Sequence, residues 1–353
     1  MHRILTPSLA ALLCFAAPAL AQTQEKSELA WSFKKGDAHT YDLTWDLEVK
    51  QGLSGPQPLE LGAVKVKVVL SLAQTVESVD GDKATVKAKI ASVAADAEMQ
   101  AMGMPMPKKS FDSKNADGAD PMLASLGKAV DQTISFKLDK QGQVSELTGG
   151  NEIVKRIQMS MAEAMAKLRR EQGGGGGMGG MGGMGGMGMG QETMLTLMAF
   201  QNDSLTSGLN MLNHVLPSEA KAQGDSWTIK QSLGMATGNM EFDGSYKHTG
   251  AVKGKVRIGF KNAGDVTMKK AEGGASNPLL GDLDLKVTKS SLKGLATFGD
   301  AKLFDSEVNF DVETEGNLPD MLKQQMQMMG GGGDGAKLAI GYKLTLRYVR
   351  GEK

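Results

Sequence analysis

One stretch of this sequence consists only of glycine and methionine. The thioether groups of its methionines are the most unusual candidates for chemistry in the chain. Residues 173–190 read GGGGGMGGMGGMGGMGMG. Thioether sulfur is a soft ligand that suits Cu(I), and a mobile backbone can gather several methionines around one ion without a preformed pocket. Two interpretations stay open, an inert glycine-rich linker and a Cu(I) site. The candidate ligands are Met178, Met181, Met184, Met187 and Met189, and a second group of methionines lies earlier in the chain at Met99, Met102, Met104 and Met106.

The tripeptide Gly224-Asp225-Ser226 resembles the nucleophile block of a group of lipases and esterases. Such a serine needs a buried strand before it, a helix after it, and a histidine late in the chain with an acid close by. Here a polar loop precedes the tripeptide and a predicted strand follows it. Asp243 and His248 are too far apart for the usual pairing. We therefore favour a turn that leads into a strand, with an ester hydrolase that uses Ser226 as the alternative.

Other metal-binding patterns are weak. Asn115, Asp117 and Asp120 are spaced like oxygen ligands in a calcium loop, but Ser113 and Ala124 occupy the first and twelfth positions, which require Asp and Glu. The histidines after residue 21 are isolated in sequence, at His39, His214 and His248. The sequence therefore predicts a solvated turn at residues 113–124, no cofactor and a noncatalytic protein.

The first residues are typical of a secretory signal peptide. Arg3 precedes the apolar run LAALLCF at residues 9–15, and an A-x-A motif ends at Ala21, before Gln22. We predict cleavage between Ala21 and Gln22, export to the periplasm or the medium, and no transmembrane segment after cleavage, because the run is too short. Cleavage removes the only cysteine, Cys14, and leaves 353 − 21 = 332 residues, so the mature chain has no disulfide.

Charge is evenly balanced along the chain. There are 40 basic and 40 acidic residues, and loss of Arg3 with the signal peptide gives a net charge of 39 − 40 = −1. Because no dense Lys/Arg block is present, nucleic acid is not an expected partner. Stability must come from packed apolar surface, and the chain is long enough for one large or two ordinary domains.

Apolar residues recur with a period of two and predict a mainly β (α+β) fold of curved antiparallel sheets. The clearest segment is HTYDLTWDLEV at residues 39–49, where every second side chain is apolar. Asp80-Gly81-Asp82 lies between two long alternating segments and predicts a hairpin. Further strands are predicted at residues 64–79, 83–93, 132–138, 144–147, 226–233, 239–248, 255–261, 283–292, 303–313 and 338–349.

Helical spacing predicts a few packed amphipathic helices. Asn151 is the expected N-cap of a helix that continues to Arg170, and Asp203 the N-cap of another at residues 204–215. Further helices are predicted at residues 192–200 and 317–329, and a loop at residues 94–120. We expect the first helix to dock on the sheet, because burial of its roughly six apolar side chains does not by itself offset the backbone entropy of ordering it.

The glycine-rich run divides the chain into candidate domains. These are the signal peptide at residues 1–21, an N-terminal β lobe with a closing helix at residues 22–172, a flexible linker at residues 173–190, and helices with a C-terminal β lobe at residues 191–353. Gly-Asp turns and Gly-Asn helix starts recur in the same order in both lobes. The lobes are therefore either two related halves or unrelated segments that contain the same common turns, and they could share one sheet or core.

Three phrases resemble a bacterial family of secreted proteins classed as a domain of unknown function. They are WSFKKGD at residues 31–37, FKLDKQGQV at residues 136–144, and LP at residues 216–217 followed by GDSW at residues 224–227. The resemblance covers most of the mature chain and implies export and a β-rich fold. Because the family has no established activity, it implies no functional residue.

These observations together predict an exported, noncatalytic binding module or a structural module associated with the envelope. If curved sheets enclose the helices, their concave faces are apolar and could hold an apolar small molecule or a lipid. Cu(I) binding by the methionines of residues 178–189 and ester hydrolysis by Ser226 are the alternatives.

Overall fold

The computed structural model describes residues 26, 28–55, 58–101, 103–171, 185–235, 238–269, 284–318, 323–324 and 335–351. These residues form four α-helices, α1 (Pro121–Ala124), α2 (Gly150–Glu171), α3 (Gly185–Met198) and α4 (Asn202–Asn213), with a 3-10 turn at Ser125–Ala129. They also form fourteen strands, β1 (Ala38–Ser54), β2 (Leu59–Asp80), β3 (Lys83–Ala101), β4 (Met104–Pro105), β5 (Lys109–Asp112), β6 (Thr133–Asp139), β7 (Val144–Thr148), β8 (Ser226–Met235), β9 (Gly238–Val252), β10 (Lys255–Asn262), β11 (Thr267–Lys269), β12 (Leu285–Gly299), β13 (Lys302–Asn317) and β14 (Lys337–Arg350).

The described strands belong to one curved antiparallel sheet, which confirms the predicted mainly β fold. The strand order is β11-β9-β10-β12-β13-β14-β1-β2-β3-β6-β7, with β8 beside β9, and β4 and β5 beside β3. β14 pairs with β1 along its whole length, from Tyr41 opposite Arg350 to Ser54 opposite Lys337. The two predicted lobes are thus adjacent parts of a single sheet with one continuous hydrophobic core.

The sheet has an apolar concave face and a polar outer face, as the alternation predicts. In β1, Tyr41, Leu43 and Trp45 are buried, while Asp42 and Thr44 between them point outward. Ion pairs on the outer face join exposed side chains on neighbouring strands, for example Lys87 with Glu77 and Lys289 with Glu313. Such exposed pairs contribute little stability, so the fold depends on the concave side.

Two glycines occupy positions that a larger residue could not easily take. Gly81 has a φ of 56° in the turn between β2 and β3, which is the predicted Asp-Gly hairpin. Gly294 on β12 lies opposite Phe260 on β10, and a Cβ at Gly294 would lie 2.0 Å from Phe260 Cζ. The missing side chain therefore leaves space for the Phe260 ring on the concave face.

The last two turns of α3 and most of α4 lie buried inside the concavity. Residues 195–200 are all buried, and α4 buries polar Ser204, Ser207 and Asn213 together with its leucines. The buried polar groups are satisfied locally: the Ser207 hydroxyl donates to Asp203 O at 2.8 Å, and Asn213 Nδ2 donates to Leu209 O at 2.9 Å. These helices are therefore part of the core of the molecule.

Helix α2 packs differently from the expectation that it docks on the sheet. Its buried residues Ile153, Ile157 and Met161 lie in its first three turns, and its main contacts are with α1 and the 3-10 turn. The second half of the helix projects outward, and Met159 and Met165 on its surface are exposed. Short helical elements thus separate α2 from the strands.

Several predicted boundaries were wrong. The loop predicted at residues 94–120 contains the last eight residues of β3 and both strands β4 and β5, and it ends at the N-cap of α1. The N-cap of α4 is Gln201, and Asp203 lies in its first turn. Helix α2 begins at Gly150, so Asn151 lies within the helix, where its Oδ1 accepts a hydrogen bond from Asn202 N at 3.2 Å. Helix α3 begins at Gly185, so residues 185–190 of the predicted linker are helical.

Some predictions lie outside the described residues. These are the signal peptide with its cleavage site at Ala21 and Gln22, residues 173–184 of the glycine-rich run, and most of the helix predicted at residues 317–329. Among the described helices, none combines the length and the apolar character needed to cross a lipid bilayer.

Candidate ligand-binding site on the concave face

The concave face of the sheet is one continuous apolar surface, and the chain's own helices cover it. Val64, Val66 and Val68 of β2 and the facing Ala95 and Ala97 of β3 are all buried. Helix α3 crosses these two strands, while α4 contacts β7, β8, β13 and β14. The surface that the sequence predicts for an apolar ligand therefore exists and is occupied by α3 and α4.

Helix α4 joins the two edges of the curved sheet. On one side, Val144 N of β7 donates to Asn210 Oδ1 at 2.6 Å, and Asn210 Nδ2 donates back to Val144 O at 3.1 Å. On the other side, Gln231 Nε2 of β8 donates to His214 O at 3.1 Å, directly after the helix. Asn210 thus satisfies a free backbone edge as a further strand would, and it closes the sheet around its core.

The floor of the concavity also fits α4 closely. Gly208 faces the Trp45 ring on β1, and a Cβ at Gly208 would lie 2.9 Å from Trp45 Cζ3. Burial lowers the pKa of His214 at the end of α4, so its imidazole is neutral at physiological pH. The α4 end of the concavity is thus tightly packed and uncharged.

A buried ion pair attaches α3 to the sheet. Lys109 Nζ of β5 lies 2.6 Å from Glu192 Oε1, and the Glu192 side chain is only 4% exposed, compared with 30% for Lys109. Within the described part of the chain, Glu192 Oε2 is buried and receives no hydrogen bond. A carboxylate in this setting is expensive to bury, so its position depends on Lys109.

Two contacts place residues 192–200 over the sheet. Glu192 lies at Lys109, which pairs with Ala97 in the last part of β3. Beyond the C-terminal end of α3, Phe200 lies against Gly150, where a Cβ would be 2.3 Å from Phe200 O. Gly150 follows β7, whose partner β6 pairs with the first residues of β3. Residues 192–200 therefore lead from the last part of β3 to the end of β7.

Clefts on the outer face have a mixed lining. Three open grooves, of about 420, 430 and 470 Å³, lie there. Charged side chains such as Glu60, Asp96 and Lys230 line them together with apolar groups. The concave face is more uniformly apolar than these grooves, which makes it the better candidate for a lipid tail.

Titratable groups gather where β1, β13 and β14 meet. Lys302 Nζ lies 2.9 Å from Asp37 Oδ2 and 2.8 Å from His39 Nε2, and Arg350 Nη2 lies 3.0 Å from His39 Nδ1. The hydrogen bond from Lys302 lowers the pKa of Asp37 below its usual value. Each group binds a neighbour on another strand, and we interpret the cluster as structural.

Two stacked tyrosines lie under this cluster in the core. The rings of Tyr41 and Tyr348 are 4.4 Å apart and parallel within 2°. Burial raises the pKa of Tyr41 to about 12 and raises that of Tyr348 well above its ordinary value. Tyr41 OH donates to Leu303 O at 3.3 Å, and Gln74 donates to Tyr348 OH. Both phenols are therefore neutral and hydrogen-bonded in the fold.

The hydrolase alternative does not fit the geometry. Ser226 is the first residue of β8, exposed on the outer face, whereas His248 is buried on the concave face of β9. The Asp225 carboxylate accepts a hydrogen bond from Ala222 N at 2.9 Å, and Asp225 O accepts one from His248 N at 3.0 Å. Gly224-Asp225-Ser226 is thus a turn into a strand, and its serine and His248 lie on opposite faces of the sheet.

The candidate calcium residues also have structural roles. Asp120 Oδ1 accepts hydrogen bonds from Met122 N at 3.0 Å and Leu123 N at 3.1 Å, which caps α1. Asn115 and Asp117 line the outer groove beside β5. Among the described residues, no three His, Cys, Asp or Glu side chains come together as a metal site.

The structure divides the candidate methionine ligands. Met178, Met181 and Met184 lie outside the described residues, and the backbone of Met187 and Met189 lies in the first turns of α3. Three methionines of the earlier group, Met99, Met104 and Met106, lie on or directly beside the β3–β4 hairpin.

Sequence reasoning missed Lys109, Glu192 and Asn210. Lys109 and Glu192 are 83 positions apart, and Asn210 lies 66 positions from Val144. The only sequence signal was the charge of Glu192 beside the buried run MLTLMAF, where an isolated acid in an apolar helix requires a partner.

Comparison with known proteins gives no family for this chain. No family model matches it, and no curated protein matches it, so the resemblance to a secreted bacterial family stays a prediction. One solved structure that is similar in part, described as "lipid-protein interactions in lipovitellin", has a TM-score of 0.40 and 9% identity and covers 91% of this chain. The chain spans 26% of that structure's length. Because a TM-score this low does not establish a common fold, this chain is characterised by its own geometry, a single curved sheet closed around two buried helices.

Proposed function

We propose that this protein is an exported, noncatalytic module that binds an apolar or lipid-like ligand on the concave face of its sheet. The ligand lies over β2 and β3, in the space that α3 fills in the unliganded protein. Its hydrocarbon contacts valine and alanine side chains such as Val66, Val68 and Ala97, while the outer face stays in water.

The observation that carries this proposal is the composition of the helix that covers the apolar face. Four of the first six residues of α3 are glycine. Each glycine costs about 1 kcal/mol relative to alanine in a helix, so this half of α3 is weaker by about 4 kcal/mol than an alanine helix of the same length. The start of α3 therefore unfolds at low cost when the helix is displaced.

An acyl chain in the place of α3 keeps the apolar face of the sheet covered. Leu195, Leu197 and Met198 of α3 are buried in the core. An acyl chain offers the same kind of contact to β2 and β3, so the hydrophobic free energy of the concave face is retained when the helix leaves. The Lys109–Glu192 ion pair acts as the polar attachment that must open.

The test measures ligand uptake in the mature protein and in a variant with α3 loosened. Lys109→Met leaves Glu192 buried without its cation and favours departure of α3. Lys108→Met is the matched control, because Lys108 pairs with Asp96 and Glu98 on the outer face at 3.4 and 3.6 Å and is 51% exposed. In one assay, each protein is mixed with an anilinonaphthalene dye and the fluorescence is measured. In the other, each protein is incubated with vesicles of phosphatidylethanolamine and phosphatidylglycerol, separated from the vesicles, and its mass is measured by native mass spectrometry.

We expect dye fluorescence and a bound phospholipid mass in the parent, more of both in Lys109→Met, and parent values in Lys108→Met. The absence of dye uptake and of bound lipid from both the parent and Lys109→Met refutes the proposal. Equal gains in the two lysine variants would also refute it, because a charge effect unrelated to α3 would then explain uptake.

A further inference from the structure

We infer that the β3–β4 hairpin forms a Cu(I) site from the thioethers of Met99, Met104 and Met106. This inference is independent of the proposed apolar ligand, and it differs from the hypothesis that the glycine-rich run itself binds copper. It rests on strand register, on the exposure of the methionines and on the chemistry of thioether sulfur.

Strand pairing places the three methionines on the same face. Met106 N donates to Met99 O at 2.8 Å, so these residues lie opposite each other, and Met104 pairs with Ala101. Met104 opens β4 and Met106 follows this strand directly, and the hydrogen bond of Met106 to Met99 continues the pairing, so the two methionines, two positions apart, share a face. Met99 lies opposite buried Val64, which identifies that face as the concave one.

The spacing suits a single ion. Directly opposed residues have Cβ atoms about 4.5 to 5.5 Å apart, and residues two apart on a strand are separated by roughly 7 Å. A methionine side chain has three rotatable bonds, so three sulfurs at this spacing can converge on one centre. The three thioethers then bind one side of the ion, and its other side faces solvent.

The exposure of these methionines is unusual for packing residues. Met104 is 68% exposed and Met106 is 46% exposed, although both belong to the face that is buried elsewhere in the sheet. Met99 is partly buried against the core. A hairpin end that only packed against the core would bury these side chains, whereas a metal site needs its sulfurs to be reachable.

The chemistry favours a soft monovalent cation. Thioether sulfur is a soft, neutral ligand that selects Cu(I) over hard cations such as Mg²⁺ and Ca²⁺. The neighbouring Lys109 and Glu192 form an ion pair and neutralise each other, so the softness of the thioether sulfurs, and not local charge, selects the ion.

The experiment measures Cu(I) affinity in the whole mature protein under reducing conditions, by competition with a chromogenic Cu(I) chelator. The variant Met99→Leu/Met104→Leu/Met106→Leu removes three sulfurs and keeps apolar side chains of similar size. Met104→Leu alone changes one exposed side chain and leaves the fold intact. The matched control is Met159→Leu/Met165→Leu, which removes two exposed thioethers from α2, away from the hairpin. A fourth variant changes the five methionines of residues 178–189 to serine.

We expect one Cu(I) per chain in the parent and in the α2 control. Affinity should fall in Met104→Leu and fall further in the triple variant, by at least the roughly 10- to 100-fold that loss of a supporting outer group costs a metal site. Unchanged affinity in the triple variant overturns the inference. A loss confined to the serine variant also overturns it and assigns copper to the glycine-rich run. Equal losses in the hairpin and α2 variants would indicate nonspecific thioether binding and would refute a built site.

Discussion

The attachment of α3 by Lys109 and Glu192 makes a quantitative prediction. Lys109→Met removes the cation from a carboxylate that is 4% exposed and whose second oxygen has no hydrogen-bond partner among the described residues. Removing one member of a buried ion pair costs about 3 to 5 kcal/mol. Because Lys109 is 30% exposed, we expect the lower limit, about 3 kcal/mol.

Glu192→Gln keeps the shape of the side chain and removes its charge. The amide oxygen still accepts a hydrogen bond from Lys109, so we expect a loss of about 1 kcal/mol. The double variant Lys109→Met/Glu192→Met replaces the pair by apolar side chains, which often leaves stability unchanged within about 1 kcal/mol. The matching single variant Glu192→Met leaves the partly exposed Lys109 unpaired and should cost about 1 kcal/mol. With a cost of about 1 kcal/mol for the double variant, the coupling free energy between the two positions is about −3 kcal/mol, well beyond that of an exposed pair.

Urea unfolding followed by tryptophan fluorescence measures the global free energy, and hydrogen exchange at residues 195–198 measures opening of α3. We expect Lys109→Met to increase exchange there more than it lowers the global free energy, because α3 opens before the sheet does. Lys108→Met should leave both values within about 0.5 kcal/mol of the parent. A cost below about 0.5 kcal/mol in Lys109→Met, or additive single and double variants, would refute the proposed attachment.

Three further predictions concern the sheet. Gly294→Ala should cost about 1 to 3 kcal/mol in urea unfolding because its Cβ meets the Phe260 ring, and it should cost less in a Phe260→Leu background; an equal cost in both backgrounds contradicts this contact. Asn210→Ala should cost about 1 to 3 kcal/mol and increase hydrogen exchange at Val144, whose backbone groups lose their partners, while unchanged exchange would show that α4 does not protect this edge. The pKa of Tyr41 is raised to about 12 in the fold, so the tyrosine of the unfolded chain loses its proton at lower pH than the folded one. The free energy of unfolding should therefore fall as the pH rises above 10, by up to about 2 to 3 kcal/mol. Tyr41→Phe should reduce that slope, and an identical slope in the variant would contradict the assignment.

Most of the sheet could be predicted from the sequence because alternation is a local property. β1 and β14 alternate apolar and polar side chains over nearly their whole length, so their faces follow from the pattern. The end of β3 was missed because its inward residues, Ala95 and Ala97, are small and have low strand propensity. Their alternation with Asp96 carried the signal, but alanine alone does not distinguish a strand from a loop.

The candidate sites were less predictable because they depend on contacts between distant segments. The methionines at positions 99, 104 and 106 have no obvious period in sequence, and only the β3–β4 pairing places them on one face. Burial of α3 was similarly hidden, since its glycines indicated a flexible linker. Tertiary contacts overrode that local preference from Gly185 onward.

The pairing of β14 with β1 has a consequence for how this chain acquires its structure. Tyr41 and Arg350 are 350 − 41 = 309 positions apart, yet they lie opposite each other in the middle of the sheet. Until β14 pairs with β1, the two parts of the sheet have open edges and cannot enclose α3 and α4. Contacts between residues so far apart in sequence form slowly. In a protein exported as we propose, β1 crosses the membrane well before β14, so the two parts of the sheet join only after β14 has followed.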